Sequence, residues 1–132
     1  VQYHKKHGWP ENAWIGTSVE NQEWADKRVN AIKDIPAPVR FLSIEPLLGP
    51  VKVDLQGIDW VIVGGESGPG HRTVQKIWVE SLRDQCKAAK VPFFFKQWGG
   101  PHAKSNGYLL GTKEHREFPK PKKRMAVAKK EC

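Results

Sequence analysis

The chain has 132 residues, the size of one domain, and its six Trp and five Phe suffice to seed a core. No run of about 18 apolar residues occurs, which excludes a membrane-spanning helix. The net charge of +8 is concentrated at one end, where Lys120, Lys122, Lys123, Arg124, Lys129 and Lys130 stand against Glu131 alone.

The first ten residues carry His4, Lys5, Lys6 and His7 with no apolar run behind them, unlike a secretory leader. A start at Val1 rather than Met reads as a start inside a longer gene product. Residues 13–19 predict the first buried strand, short, apolar and bounded by Pro and Asn. A helix over 22–33 follows, with Asn21 as N-cap. Ala25, Val29 and Ile32 share its inner face, and Pro36 closes it, since proline disfavours helix in the residue before it. Residues 39–44 predict the second strand. The linker 46–58, with Pro46, Gly49, Pro50 and Gly57, has no helical pattern. The third strand is 59–63. A second helix, 74–89, has Trp78, Leu82, Cys86 and Ala89 as its expected buried stripe, and Lys87 and Lys90 near the end where cations suit the dipole. The fourth strand is 91–96. Beyond Gly99 the patterns weaken to a loop over 101–105, a short edge strand over 108–110 and a turn or strand over 113–118.

This order predicts an α/β fold of parallel strands with right-handed crossover helices. The near-continuous apolar runs suit strands covered on both faces. Four strands and two helices make either a small open sheet or half of a barrel, which when complete takes about 250 residues. The expected domain is residues 1–118, with 119–132 as a basic flexible tail. Such a tail attracts nucleic acid weakly. The folded part has no basic stripe interleaved with aromatics, which argues against a specific nucleic-acid reader. Two cysteines, Cys86 and Cys132, fit a reducing, cytoplasmic setting and are too few to hold an iron–sulfur cluster. The five histidines have no metal-ligand spacing, so no metal site is expected, and no nucleophile elbow occurs.

Every strand runs into polar residues at its carboxyl end. These are Ser18 and Glu20 at the first, Ser43 and Glu45 at the second, Gly64-Gly65-Glu66 after the third, and Lys96-Gln97 after the fourth. Parallel α/β folds bind ligands beyond these ends, so three carboxylates, a lysine and a glutamine are expected on one rim. Gly64-Gly65-Glu66-Ser67-Gly68-Pro69-Gly70 lets backbone approach a ligand closely or makes a structural turn. It is neither a dinucleotide fingerprint nor a P-loop. Arg72 is placed to reach a carboxylate or phosphate. Lys96, after Phe93-Phe94-Phe95, is expected to reach into the rim toward Glu45 or Glu66 rather than lie unpaired in the sheet.

Four blocks carry a family resemblance: Trp14-Ile15-Gly16-Thr17-Ser18-Val19-Glu20-Asn21, Arg40-Phe41-Leu42-Ser43-Ile44-Glu45-Pro46-Leu47-Leu48-Gly49, Trp60-Val61-Ile62-Val63-Gly64-Gly65-Glu66-Ser67-Gly68 and Pro92-Phe93-Phe94-Phe95-Lys96-Gln97-Trp98-Gly99. In order and separation they resemble the phage-associated family often called gp-thirty-seven/gp-sixty-eight, over about residues 8–119. Members look like radical-SAM proteins with a three-cysteine motif on the first half of an α/β barrel. The resemblance therefore implies the C-terminal half of a TIM-like partial barrel, without the cysteines of its 4Fe-4S cluster. It implies S-adenosylmethionine contacts at Gly64, Gly65, Glu66, Ser18 and Glu20, and substrate contacts at Glu45, Arg72, Lys96 and Gln97, with catalytic residues undefined. A half barrel leaves two exposed strand edges, so the expected partner is the missing N-terminal half or another chain. The rival expectation is a nucleic-acid-binding or protein-interaction module without catalysis.

Overall fold

The computed structural model describes residues 8–102 and 104–124. The chain forms strand β1 (Ile15–Ser18), helix α1 (Gln22–Ile32), β2 (Arg40–Ile44), β3 (Trp60–Val63), helix α2 (Lys76–Ala89) and β4 (Phe93–Phe95). The strands make one parallel sheet in the order β1-β2-β3-β4. This is the α/β fold expected from the sequence, with each strand shortened by a residue or more.

Both helices lie on one face of the sheet. Leu42, Ile44, Val61, Val63, Phe93 and Phe95 point to that face and join Ala25, Val29 and Ile32 of α1 and Val79, Leu82 and Cys86 of α2 in a single core. The expected stripe of α2 holds at Leu82 and Cys86 but not at its ends. Trp78 is only partly buried and Ala89 is exposed, because the helix presents Val79, at three and seven residues from Leu82 and Cys86, to the sheet. Its last turn ends on Lys90 in the left-handed conformation, where the chain turns down into β4. Helix α1 follows expectation: the Asn21 side chain accepts from the Trp24 amide at 3.2 Å.

The irregular connection from β2 to β3 takes the place of a third helix. Leu47, Val51, Leu55 and Ile58 enter the core, and the buried backbone around them needs partners. Two glutamines supply them. Gln22 of α1 exchanges hydrogen bonds with the Lys52 backbone at 2.7 and 2.9 Å, and Gln85 of α2 receives the Val53 amide and donates to the Val51 carbonyl.

The other face does not match the expectation of strands covered on both sides. Phe41, Trp60, Ile62 and Phe94 lie on it half-buried, among Gly16, Ser18 and Ser43, and no described helix covers it. Its aromatic rings pack mostly edge-on against one another, with Phe118 tilted on Trp60, and Trp14, Phe41, Trp60, Phe94 and Phe118 pair at centroid distances of 5.5–6.2 Å.

The carboxyl-terminal segment also departs from expectation. Residues 108–110 form no edge strand; Leu110 and Lys113 instead close a tight turn by exchanging backbone hydrogen bonds. Residues 115–117 run antiparallel along the outer edge of β4, so that edge is not exposed. Contacts continue past residue 118. Pro119 is buried, the Lys122 amide donates to the Pro38 carbonyl at 2.9 Å, and Arg124 grips Asp59. The rest of the basic tail, 125–132 with Cys132, lies outside the described residues. Among the described residues no helix is long and apolar enough to cross a membrane.

Candidate functional site

The strand ends carry the expected polar residues, but the structure sorts them into three groups. The central group joins β2, β3 and β4. Glu45 and Lys96 each follow a helix-facing residue, so alternation turns both toward the open face. Lys96 Nζ lies 3.4 Å from Glu45 Oε1. The Gln97 amide donates to the same oxygen at 3.2 Å and to the Gly65 carbonyl at 3.1 Å. Gly64 makes this possible: a Cβ there would stand 3.0 Å from both Gln97 Nε2 and Glu45 Cδ. The Glu45–Pro46 peptide bond is cis.

The second group is Glu66 with Arg72. Arg72 donates from its backbone amide at 2.8 Å and from its guanidinium at 3.0 and 2.6 Å, folding the glycine-rich loop onto itself. The Arg72 side chain, and then its amide, hold the Glu66 carboxyl down to about 2. Both groups are thereby committed to each other. Gly65 is likewise structural: a Cβ would overlap the Trp98 carbonyl, and its amide and carbonyl are bound by Gln97.

The third group lies at the β1 end. Glu20 faces Arg28 of α1 at 3.8 Å, and Arg28 also donates to the Ser18 carbonyl at 2.9 Å while stacking on Trp24. Glu20 makes no described hydrogen bond to the Glu45 group. The Ser18 side chain sits beside Ser43, its register partner on β2, just below the rim on the open face. The structure thus unites Glu45, Lys96, Gln97 and Gly64, leaves Ser18 beneath them, and separates Glu20 and the Glu66–Arg72 pair.

The sequence shows Ser43 among the polar residues ending β2 but not its place beside Ser18, which register decides, and sequence reasoning missed Arg28, which helix phase brings to the rim. It also missed a charged cluster at the opposite end of the sheet. Asp59, just before β3, is almost fully buried and accepts from the Arg40 amide at 2.9 Å, from both terminal nitrogens of Arg124 and from Lys122 at 3.0 Å. Burial alone would raise its pKa; Arg124, the Arg40 amide and Lys122 together hold it below the ordinary carboxylate value. A cavity of about 910 Å³ opens at this end, between 52–59, the end of α2 and Phe118. It is remote from the Glu45 group.

No metal-ligand cluster is present among the described residues. Cys86 is buried in the core under α2, and that burial pushes its thiol up to about 12, so it remains protonated. It does not suit a 4Fe-4S cluster, whose ligands are thiolates.

Residues 1–125 match a sequence family described as a protein of unknown function (DUF5131). No curated protein and no solved structure matches the chain.

Proposed function

The chain belongs to the DUF5131 family, and from its geometry we propose that it is the substrate-orienting half of a partial α/β barrel of the radical-SAM kind, related to the phage-associated proteins its strand ends resemble. The observation that carries this reading is the open sheet face with the Glu45–Lys96–Gln97 group on its carboxyl rim. Sequential strand order with every helix on one face is the winding of a barrel wall, whereas a doubly wound sheet reverses its order and covers both faces. The open face then corresponds to the barrel interior, and its rim to the ligand side.

S-adenosylmethionine suits part of the set assigned to it. Gly64 presents bare backbone beside Glu45 and Gln97, and Ser18 and Ser43 offer hydroxyls below. Gly65 and Glu66 are engaged within the protein and serve by shaping the loop. When bound beside a cluster, the cofactor supplies a carbon-centred radical; the cluster's cysteines are not among this chain's described residues. The chain's own part is to bind and orient: Lys96 offers an ammonium to an anionic group, Glu45 a carboxylate to a cationic one, and Gln97 holds Glu45 in place. A nucleic-acid module acting through the basic stretch is the weaker reading, because Lys122 and Arg124 are already bound to Asp59.

The test uses the full gene product, reconstituted with iron and sulfide without oxygen, given S-adenosylmethionine and dithionite, and assayed for 5′-deoxyadenosine. Formation that falls by roughly tenfold or more in Lys96→Met and Glu45→Gln, with the fold intact, supports the reading. A correctly assembled cluster that yields none, or variants without effect, refutes it.

A further inference from the structure

The carboxyl-terminal segment makes a continuous set of contacts that the proposed function does not use. Along the outer edge of β4, the Phe95 amide donates to the His115 carbonyl at 2.7 Å and the Glu117 amide to the Phe93 carbonyl at 3.2 Å. The Glu117 carboxylate accepts from the Phe93 amide at 3.1 Å, and Arg116 lies over the Phe94 ring while donating to the Lys96 carbonyl. Next, the Trp60 indole donates to the Glu117 carbonyl at 2.8 Å and Phe118 packs on Trp60 and Phe94. The segment then crosses to β2, where Lys122 and Arg124 bind the Pro38 and Ala37 carbonyls and close on the buried Asp59 carboxylate. No described strand lies along the outer edge of β1.

We propose that residues 115–124 are an edge strap: they occupy the β4 edge in place of a neighbouring strand, are locked by Asp59, and so direct any further strand to β1. An unpaired edge is a template for pairing with another chain, and this one is filled by a segment whose far end is tied to a charge that water does not reach. Arg124 and Lys122 are the cations in direct ion-pair contact with Asp59, so the lock depends on the strap being seated. The strap also fixes Arg116 against the Lys96 carbonyl, linking the edge to the rim. The inference stands on residues other than the ligand-facing ones and survives if the enzymatic reading fails.

Amide hydrogen exchange tests it in Arg124→Gln, with the Lys122→Gln/Arg124→Gln pair as the stronger release. The Phe95 amide of β4 faces the strap and the Glu117 amide of the strap faces β4, whereas the Lys96 amide donates to Val63 across the sheet and reports the fold itself. Release of the strap raises exchange at Phe95 and Glu117 by roughly tenfold or more while Lys96 changes little. Sedimentation then gains a larger, concentration-dependent species as freed β4 edges pair. Unchanged Phe95 exchange, exchange that rises equally at Lys96, or a released strap with no new association each overturns the proposal.

Discussion

The two glycines after β3 separate packing from ligand access, and alanine substitution tells them apart. At Gly65 an added Cβ overlaps the Trp98 carbonyl oxygen and lies 2.6 Å from its carbon. Relief requires the Trp98 carbonyl to retreat by roughly 1.5 Å to an ordinary contact distance. That backbone is held by its amide bond to the Gly107 carbonyl, by the indole bond to the Leu109 carbonyl at 2.7 Å, and by the ring packing on Phe95 at 4.8 Å. The retreat also strains the Gly65 amide bond to Gln97. Overpacking of about 2 kcal/mol plus about 1 kcal/mol for a weakened hydrogen bond gives Gly65→Ala a destabilisation of about 3 kcal/mol. At Gly64 the obstructing atoms are the far ends of Glu45 and Gln97, which give by a few tenths of an ångström, so Gly64→Ala loses about 1 kcal/mol. Neither glycine has positive φ, so backbone strain does not blur the comparison. Urea unfolding followed by tryptophan fluorescence measures both, at equal m-value. Gly64→Ala should instead weaken ligand binding, because it displaces the Glu45–Gln97 pair. Equal destabilisation by the two substitutions, or a larger loss at Gly64, would refute this assignment.

Two further outcomes follow from burial. Asp59 has a folded pKa below its unfolded value of 3.8. Its contribution is therefore fully present above about pH 4 and is lost as the pH falls through the lower folded value. Asp59→Asn should lose about 3 kcal/mol at neutral pH and flatten that acid limb, measured by unfolding midpoints against pH; an unaltered limb would place the acid sensitivity elsewhere. Cys86, in a Cys132→Ser background, should react with a disulfide reagent at mildly alkaline pH only as fast as the chain opens, because burial holds its thiol near 12. Rapid stoichiometric labelling of the native chain would contradict the core position.

The strands and helices were legible because their signals are local. Asn21, the Ala25/Val29/Ile32 spacing and Pro36 define α1 without reference to the rest of the chain. The rim was legible as a set, since strand direction alone puts Glu45, Lys96 and Gln97 at one end. What the sequence does not carry is how those residues pair. Glu66 and Arg72 are separated by six residues, and only the loop's folding back makes them a bidentate pair. The strap was hidden for a different reason. Residues 115–124 have no periodicity, and the carboxylate that anchors them, Asp59, reads in sequence as the polar start of a strand. A composition rich in lysine suggested a solvated tail, whereas tertiary pairing decides the place of Lys122 and Arg124. In α2 the expected Leu82 and Cys86 are buried, but Val79 was missed at the start of the stripe, because Trp78 and Val79 are both apolar and periodicity cannot choose between adjacent apolar residues.

The rim and the strap impose one joint constraint on the proposed barrel. The open face exposes Trp14, Phe118 and the edges of Phe41, Trp60 and Phe94, a surface that water does not favour. With the β4 edge strapped, cover in the proposed barrel would enter from β1 and cross toward Phe118, which would leave that barrel open and partial rather than closed. Such cover would enclose the Glu45–Lys96 pair, whose 3.4 Å separation and half-exposed ammonium make it weak as it stands. Exclusion of water lowers the local dielectric and strengthens every charge contact there. The same step that hides the aromatic face would then turn a loosely held surface pair into the strongest electrostatic feature of the site.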